Sequence, residues 1–185
     1  MRIVGGRLRG RAITAPSTRE VRPTSDRLRE SLFNVLEHRF GDPCPGARVL
    51  DLFAGTGALG LEALSRGATF ALFVDDGVEA RACLRESIET LGLGGVTRVF
   101  RRDATKLGAA PTERFSLAFL DPPYGRGLAT SALEGLHRDG WLSPGALCVA
   151  EETAEATLDA PEGFTELDRR VQGGSVLVVC RYLTA

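Results

Sequence analysis

Apolar residues are spaced in two ways along this chain, and the change near residue 47 divides it. Before that point Leu28, Leu32, Phe33, Leu36 and Phe40 recur at the spacing of one helical face and predict a helix over 25–39. Thr24-Ser25-Asp26 supplies cap-type side chains and a negative charge at its start; Gly41, Pro43, Pro45 and Gly46 end it. Upstream, residues 2–14 read R-I-V-G-G-R-L-R-G-R-A-I-T. Alternation of apolar residues with arginines, with Gly5-Gly6 as a turn signal, predicts a small β-hairpin carrying its arginines on one face. Pro16 and Pro23 bracket a linker.

Beyond residue 47 short apolar runs take over, at 48–53, 69–74, 96–100, 116–120, 146–150 and 176–179. Helical stretches near 58–66, 77–91 and 127–138 separate several of them. Runs with little alternation, separated by helices, predict a parallel sheet covered on both faces. Residues 164–171 and 175–182, joined at Gly173-Gly174, instead predict an antiparallel hairpin closing the sheet. The expected organisation is a basic hairpin and linker over 1–24, then one α/β domain over 25–185.

Composition narrows the class. Hydrophobic residues are 43% and charged residues 25%, ordinary globular values that exclude a disordered chain. The longest apolar runs are five residues, as in 70–74, against the ~20 that span a bilayer. No apolar leader follows Met1, so a cytoplasmic protein is expected. Cys44, Cys83, Cys148 and Cys180 form no C-x-x-C pair and only two histidines are present. Free thiols and no metal site are therefore expected. Net charge is −1, but residues 1–39 carry nine arginines against four acids, a local +5. Charge gathered at one end is the footprint of a polyanion-binding arm, with Arg7, Arg9 and Arg11 its candidate phosphate contacts.

The candidate chemistry lies at the ends of the first four apolar runs. Asp51-Leu52-Phe53-Ala54-Gly55-Thr56-Gly57 runs on to Gly60, giving G-x-G-x-x-G directly after a strand and opening a helix. Alone, that pattern also fits an NAD-dependent oxidoreductase. Asp51 shifts the balance. A carboxylate aimed at a pyrophosphate repels it, whereas it suits a cationic amino-acid moiety such as that of S-adenosylmethionine. Asp75, at the next run's end, can accept two ribose hydroxyls, and Asp103, after the third, can accept the amino protons of an adenine. After the fourth run comes Asp121-Pro122-Pro123-Tyr124. The paired prolines fix the backbone so that the Pro122 carbonyl and the Asp121 carboxylate can together take both protons of a planar amine. Its lone pair then faces an electrophilic methyl group, in a displacement governed by positioning. The Tyr124 ring can stack an unstacked base.

D-P-P-Y is one form of the [DNS]-P-P-[YFW] motif of amino methyltransferases, and D-x-F-A-G-x-G is their cofactor motif. The whole chain resembles the RsmD family of bacterial 16S rRNA guanine-N2 methyltransferases. The residues carrying this resemblance are 2–6, 9–11, 22–34, 51–68 and 121–124. It implies a Rossmann-like class I methyltransferase with a seven-stranded, mostly parallel sheet and an N-terminal β-hairpin that contacts RNA. It further implies S-adenosylmethionine as methyl donor and the 2-amino group of a guanine in 16S rRNA as target, position 966 in the family. A 30S particle or assembly intermediate is the expected partner and a monomer the expected state. Asp51, Phe53, Gly55, Gly57, Asp75, Asp103 and Ala104 are then cofactor contacts, and Asp121, Pro122, Pro123 and Tyr124 catalytic. Residues 24–34 are implied to line the cofactor entrance. The chain departs from the family at Asp75, where Glu is frequent, and at Tyr124, where Phe is also common. Residues 151–171 carry little that matches the family and say nothing about substrate. N6-adenine methylation of DNA or RNA, glutamine methylation of a protein, and a non-catalytic RNA-binding module remain as other readings.

Overall fold

In the computed structural model, which describes residues 1–17 and 25–183, the apolar runs become one seven-stranded sheet. Along the chain the elements are α1 (Asp26–Arg39), β1 (Arg48–Leu52), α2 (Ala58–Ser65), β2 (Phe70–Val74), α3 (Val78–Thr90), a 3₁₀ turn at Gly94–Val96 and β3 (Thr97–Phe100). β4 (Phe115–Leu120), α4 (Leu128–Arg138), β5 (Leu142–Thr153), β6 (Phe164–Gln172) and β7 (Ser175–Tyr182) follow. Strand order is β3-β2-β1-β4-β5-β7-β6. β1 to β5 are mutually parallel, while β7 inserts antiparallel between β5 and β6.

Both faces are covered, as buried parallel strands require. On one face α1, α2 and α3 contribute Leu32, Phe33, Leu61, Leu64, Leu84 and Ile88 against Val49, Phe73, Leu117 and Phe119. On the other, α4 and Trp141 pack on Leu50, Leu72, Ala118 and Cys148. Ser25 caps α1, accepting from the Leu28 N–H at 3.2 Å. Leu28 itself departs from the expected core stripe. It is 37% exposed, and Arg29 is buried in its place.

β5 is longer than the apolar run at 146–150. Pro144 and Gly145 read as a break, but a register shift between Phe115 and Leu117 of β4 absorbs them and the strand continues to Thr153. All four cysteines are free and buried, and burial pushes the Cys44 thiol up to about 12. Among the described residues no helix is long and apolar enough to cross a membrane, and no group of His, Cys, Asp or Glu is placed to hold a metal ion.

The N-terminal segment closes as a small antiparallel hairpin, but it is not a free arm. Among the described residues its one ladder pairing is the bridge Arg2–Ala12, and its turn lies at Gly6 and Gly10, whose φ values are +74° and +85°. Ile3, Leu8 and Ile13 join the core, each burial worth roughly 1.5–3 kcal/mol. The wholly buried Glu62 of α2 accepts from the Val4 and Gly5 N–H groups at 3.0 and 2.8 Å and pairs with Arg66 at 3.0 Å. Ser65 Oγ takes the Leu8 N–H at 2.9 Å, and Ser87 Oγ that of Thr14 at 2.9 Å. This segment is thus a strap stitched onto α2 and α3. The expected boundary at residue 24 lies outside the described residues, as do Arg19, Arg22, Pro23 and Thr24.

Candidate active site

Strand order reverses direction between β1 and β4, where an open α/β sheet leaves a crevice at the strands' carboxyl ends. The acids expected from the sequence converge there. β1 carries Asp51, β2 ends before Asp75, Asp103 follows β3 by three residues, and Asp121 directly follows β4. The register places Leu52 opposite Leu120, and the Asp121 N–H reaches the Leu52 carbonyl at 3.5 Å.

Asp51 is 1% exposed, and its Oδ2 accepts the Gly60 N–H at 2.9 Å. Burial, with the Asp121 and Asp75 charges adding to it, pushes its carboxyl well above the usual range against the pull of that hydrogen bond. Such a site favours a neighbouring positive charge. Asp75 accepts the Gly55 N–H at 2.8 Å and the Gly77 N–H at 2.7 Å, so it holds the glycine loop against β2. Each of its oxygens retains a second lone pair for a hydroxyl. Asp103 is exposed, and its Oδ1 takes both the Thr105 N–H and hydroxyl at 2.8 and 2.7 Å. Those two bonds hold its carboxyl below the usual range. Ala104 is buried in the α4-side core.

The glycines divide their roles. An added Cβ at Gly57 would lie 2.3 Å from Leu84, and one at Gly60 would lie 2.4 Å from Phe73. Both let α2 sit close against β2 and α3, so packing sets them as firmly as ligand approach. Phe53 holds φ +56°, a left-handed conformation that a large residue rarely adopts. It initiates the turn into Gly55, also at φ +56°.

The Asp121–Tyr124 turn is braced from β5. The Tyr124 hydroxyl donates to Glu151, and Glu152 Oε1 accepts the Gly125 N–H at 2.9 Å. Glu152 is 3% exposed, and its Oε2 has no partner among the described residues. Pro122 is buried and Pro123 exposed. Beside the turn opens a narrow pocket lined by Asp121, Glu151, Leu28, Leu32, Leu59 and Leu177, among others.

Two participants were not legible as site residues in the sequence. Glu151 and Glu152 fall in a stretch that carries little recognisable pattern, and only strand pairing brings them to the proline turn. Arg29 lies in the segment implied to line the cofactor entrance, but no role was expected of it. It is wholly buried, with Nη2 bonded to the Arg2 carbonyl at 2.6 Å and to Asp26, while Nε and Nη1 have no partner among the described residues. The adjoining Met1 sulfur touches the Thr56 hydroxyl of the glycine loop at 3.7 Å. A buried arginine in a helix's apolar stripe was the available signal.

Arg7, Arg9 and Arg11 are exposed. The Arg7 N–H bonds the Ser65 carbonyl at 2.9 Å, so the tip of the strap lies by the C-terminal end of α2, the end remote from Gly57. Arg11 reaches the Thr90 carbonyl at 3.0 Å.

The family described as "Conserved hypothetical protein 95" matches residues 1–181. Ribosomal RNA small subunit methyltransferase D of Escherichia coli K12 is 38% identical over 176 residues, covering 95% of this chain and 86% of that protein. The Haemophilus influenzae protein of the same name is 33% identical over 177 residues, covering 94% of this chain and 89% of that one. Among solved structures, yhhF of Escherichia coli superposes with a TM-score of 0.86 at 32% identity, covering 100% of this chain and 99% of that one. A Thermus thermophilus protein superposes at 0.75 with 34% identity, covering 97% and 98%.

Proposed function

The chain belongs to the family described as Conserved hypothetical protein 95, that of the RsmD-type rRNA methyltransferases, and on that premise we propose that it methylates a guanine 2-amino group in small-subunit rRNA. S-adenosylmethionine is the proposed donor and 16S rRNA, at the position equivalent to 966, the proposed target. One observation carries this reading: the Asp121–Tyr124 turn stands beside the glycine loop at the point where strand order reverses, with a pocket against Asp121. The Escherichia coli and Haemophilus influenzae relatives act on small-subunit rRNA by name, which supports an RNA substrate.

The residues present fit the donor. Buried Asp51 suits the cationic end of its amino-acid portion, and Arg29, with two buried donors that have no partner among the described residues, suits the carboxylate. Asp75 suits the ribose hydroxyls and Asp103 the adenine amino group, with Phe53, Gly55, Gly57 and Ala104 shaping the loop and its floor. When bound, S-adenosylmethionine supplies an electrophilic methyl group.

The chain's own residues do the rest by positioning. The Asp121 carboxylate and the Pro122 carbonyl accept the two amine protons, drawing the nitrogen lone pair out of conjugation. Pro123 stiffens the turn, and Tyr124, anchored through its hydroxyl to Glu151, offers its ring to the base. The nitrogen would take the methyl group as its bond to the donor's sulfur breaks, leaving S-adenosylhomocysteine, and Asp121 takes the proton the amine sheds. Arg7, Arg9 and Arg11 hold phosphates of the same RNA away from the reacting base.

The test offers unmodified 30S particles, free rRNA, duplex DNA and total protein with labelled donor, and identifies product nucleosides by mass spectrometry. N2-methylguanosine from particle or rRNA is expected. N6-methyladenine, or label confined to protein, overturns the substrate while keeping donor and fold.

A further inference from the structure

We infer that Glu151 is a specificity determinant that accepts the N1–H of the target guanine; this rests on the amino-methyltransferase reading above. β4 and β5 are adjacent parallel strands in which Leu120 lies opposite Ala150, so the next residues, Asp121 and Glu151, stand level at the sheet's carboxyl edge. Adjacent strands run ~4.8 Å apart, which brings two carboxylates to neighbouring positions. Both line the pocket beside the proline turn, between Leu32 of α1 and Leu177 of β7. Val149 lines it too, one alternation back along β5, whereas Glu152 turns to the opposite face and holds Gly125. Glu151 therefore sits on the pocket side of the strand, steadied by the Tyr124 hydroxyl on its Oε1.

The bases differ in what they present next to a reactive amine. Guanine carries two donors side by side, the 2-amino group and N1–H. Adenine and cytosine carry one amine beside an unprotonated ring nitrogen, which is an acceptor. An ionised carboxylate has no donor. With the amine held at Asp121 and Pro122, the adjacent ring atom faces Glu151. Guanine gives it a hydrogen bond, whereas adenine or cytosine sets a lone pair against a negative charge. The pocket thus discriminates by an attractive contact to one base and a repulsive one to the others. Glutamine side-chain amides supply no second N–H at that place.

2-Aminopurine probes this contact: it keeps the 2-amino group but has an unprotonated N1 and no 6-oxo group, and the Glu151→Gln variant separates the N1 contact from the lost oxygen. It would be ligated into 16S rRNA at the methylated position, and 30S particles reconstituted with either base. Wild-type protein should methylate the guanine particle with kcat/KM about 10- to 100-fold above the 2-aminopurine particle, as expected for a hydrogen bond to a charged group. Glu151→Gln, whose amide can donate to an unprotonated N1, should shrink that ratio by lowering the guanine rate and raising the 2-aminopurine rate. Tyr124→Phe, which removes the hydroxyl that steadies Glu151, should shrink the ratio in the same direction but by less. Equal wild-type rates on the two particles overturn the inference whether or not any variant folds, and so does a Glu151→Gln that leaves the ratio unchanged. Absence of N2-methylguanosine from the guanine particle fails the parent reading instead.

Discussion

At the residue scale, the site joins groups whose stability and function pull apart. Asp51 is the clearest case, because burial and two neighbouring acids disfavour its charge. The folded protein keeps this proton at pH values where the unfolded chain has released it. Wild-type stability therefore falls as pH rises from the unfolded value of ~3.9 through the raised folded one. Asp51→Asn should melt a few degrees higher than wild type at pH 8, with the gap closing toward pH 4, and should bind S-adenosylhomocysteine more weakly by calorimetry. A gap of the same size at both pH values would show that the carboxyl is not the cause. Asp121→Ala should abolish methyl transfer while leaving donor affinity within a few-fold, because it touches the amine and not the donor. Near-normal turnover in that variant would dismiss Asp121 from the chemistry. Gly60→Ala meets Phe73 at 2.4 Å and should cost about 1–3 kcal/mol in denaturant unfolding.

At the element scale, α2 does two tasks with its two ends. Its start closes the glycine loop, and its later turns, through Glu62 and Ser65, hold the N-terminal strap. Glu62→Ala leaves two N–H groups and Arg66 without their buried acceptor. A loss of about 3–5 kcal/mol is expected, with residues 1–14 becoming the first site of proteolysis. If the strap were a solvated arm, the substitution would leave both unchanged. The helix over 25–39 was legible because its apolar period is local. The docking of the strap was not, because Arg2-to-Ile13 alternation looks the same on a free hairpin and on one whose backbone donors are taken by a distant helix. β5 extends beyond its apolar run for a similar reason. Pro144-Gly145 is a turn signal in isolation, and only pairing with β4 turns it into a bulge.

At the scale of the whole molecule, the positive charge of residues 1–39 divides between structure and surface. Of the nine arginines there, Arg29 is buried and Arg39 pairs with Asp168 at 3.1 Å, so among the described residues the exposed charge rests largely on the strap. Replacing Arg7, Arg9 and Arg11 with glutamine should weaken rRNA binding and lower the slope of log K against log salt by about 0.7–0.9 for each phosphate no longer held. Filter binding across a salt series reads this directly, and an unchanged slope would remove the strap from the RNA interface.

The sequence by itself determined the sheet's order of events, the glycine loop, the acids at the strand ends and the proline turn. Each is a short-range pattern, set by neighbours within about ten residues. Tertiary structure decided what stands across from them. Asp121 and Glu151 are thirty residues apart and meet only through the register of β4 with β5, while Arg29 of α1 bonds the Arg2 carbonyl and the adjoining Met1 touches Thr56 of the glycine loop only because the strap packs between them. Local periodicity carries no information about such pairings, because register and packing are settled by the whole buried surface at once.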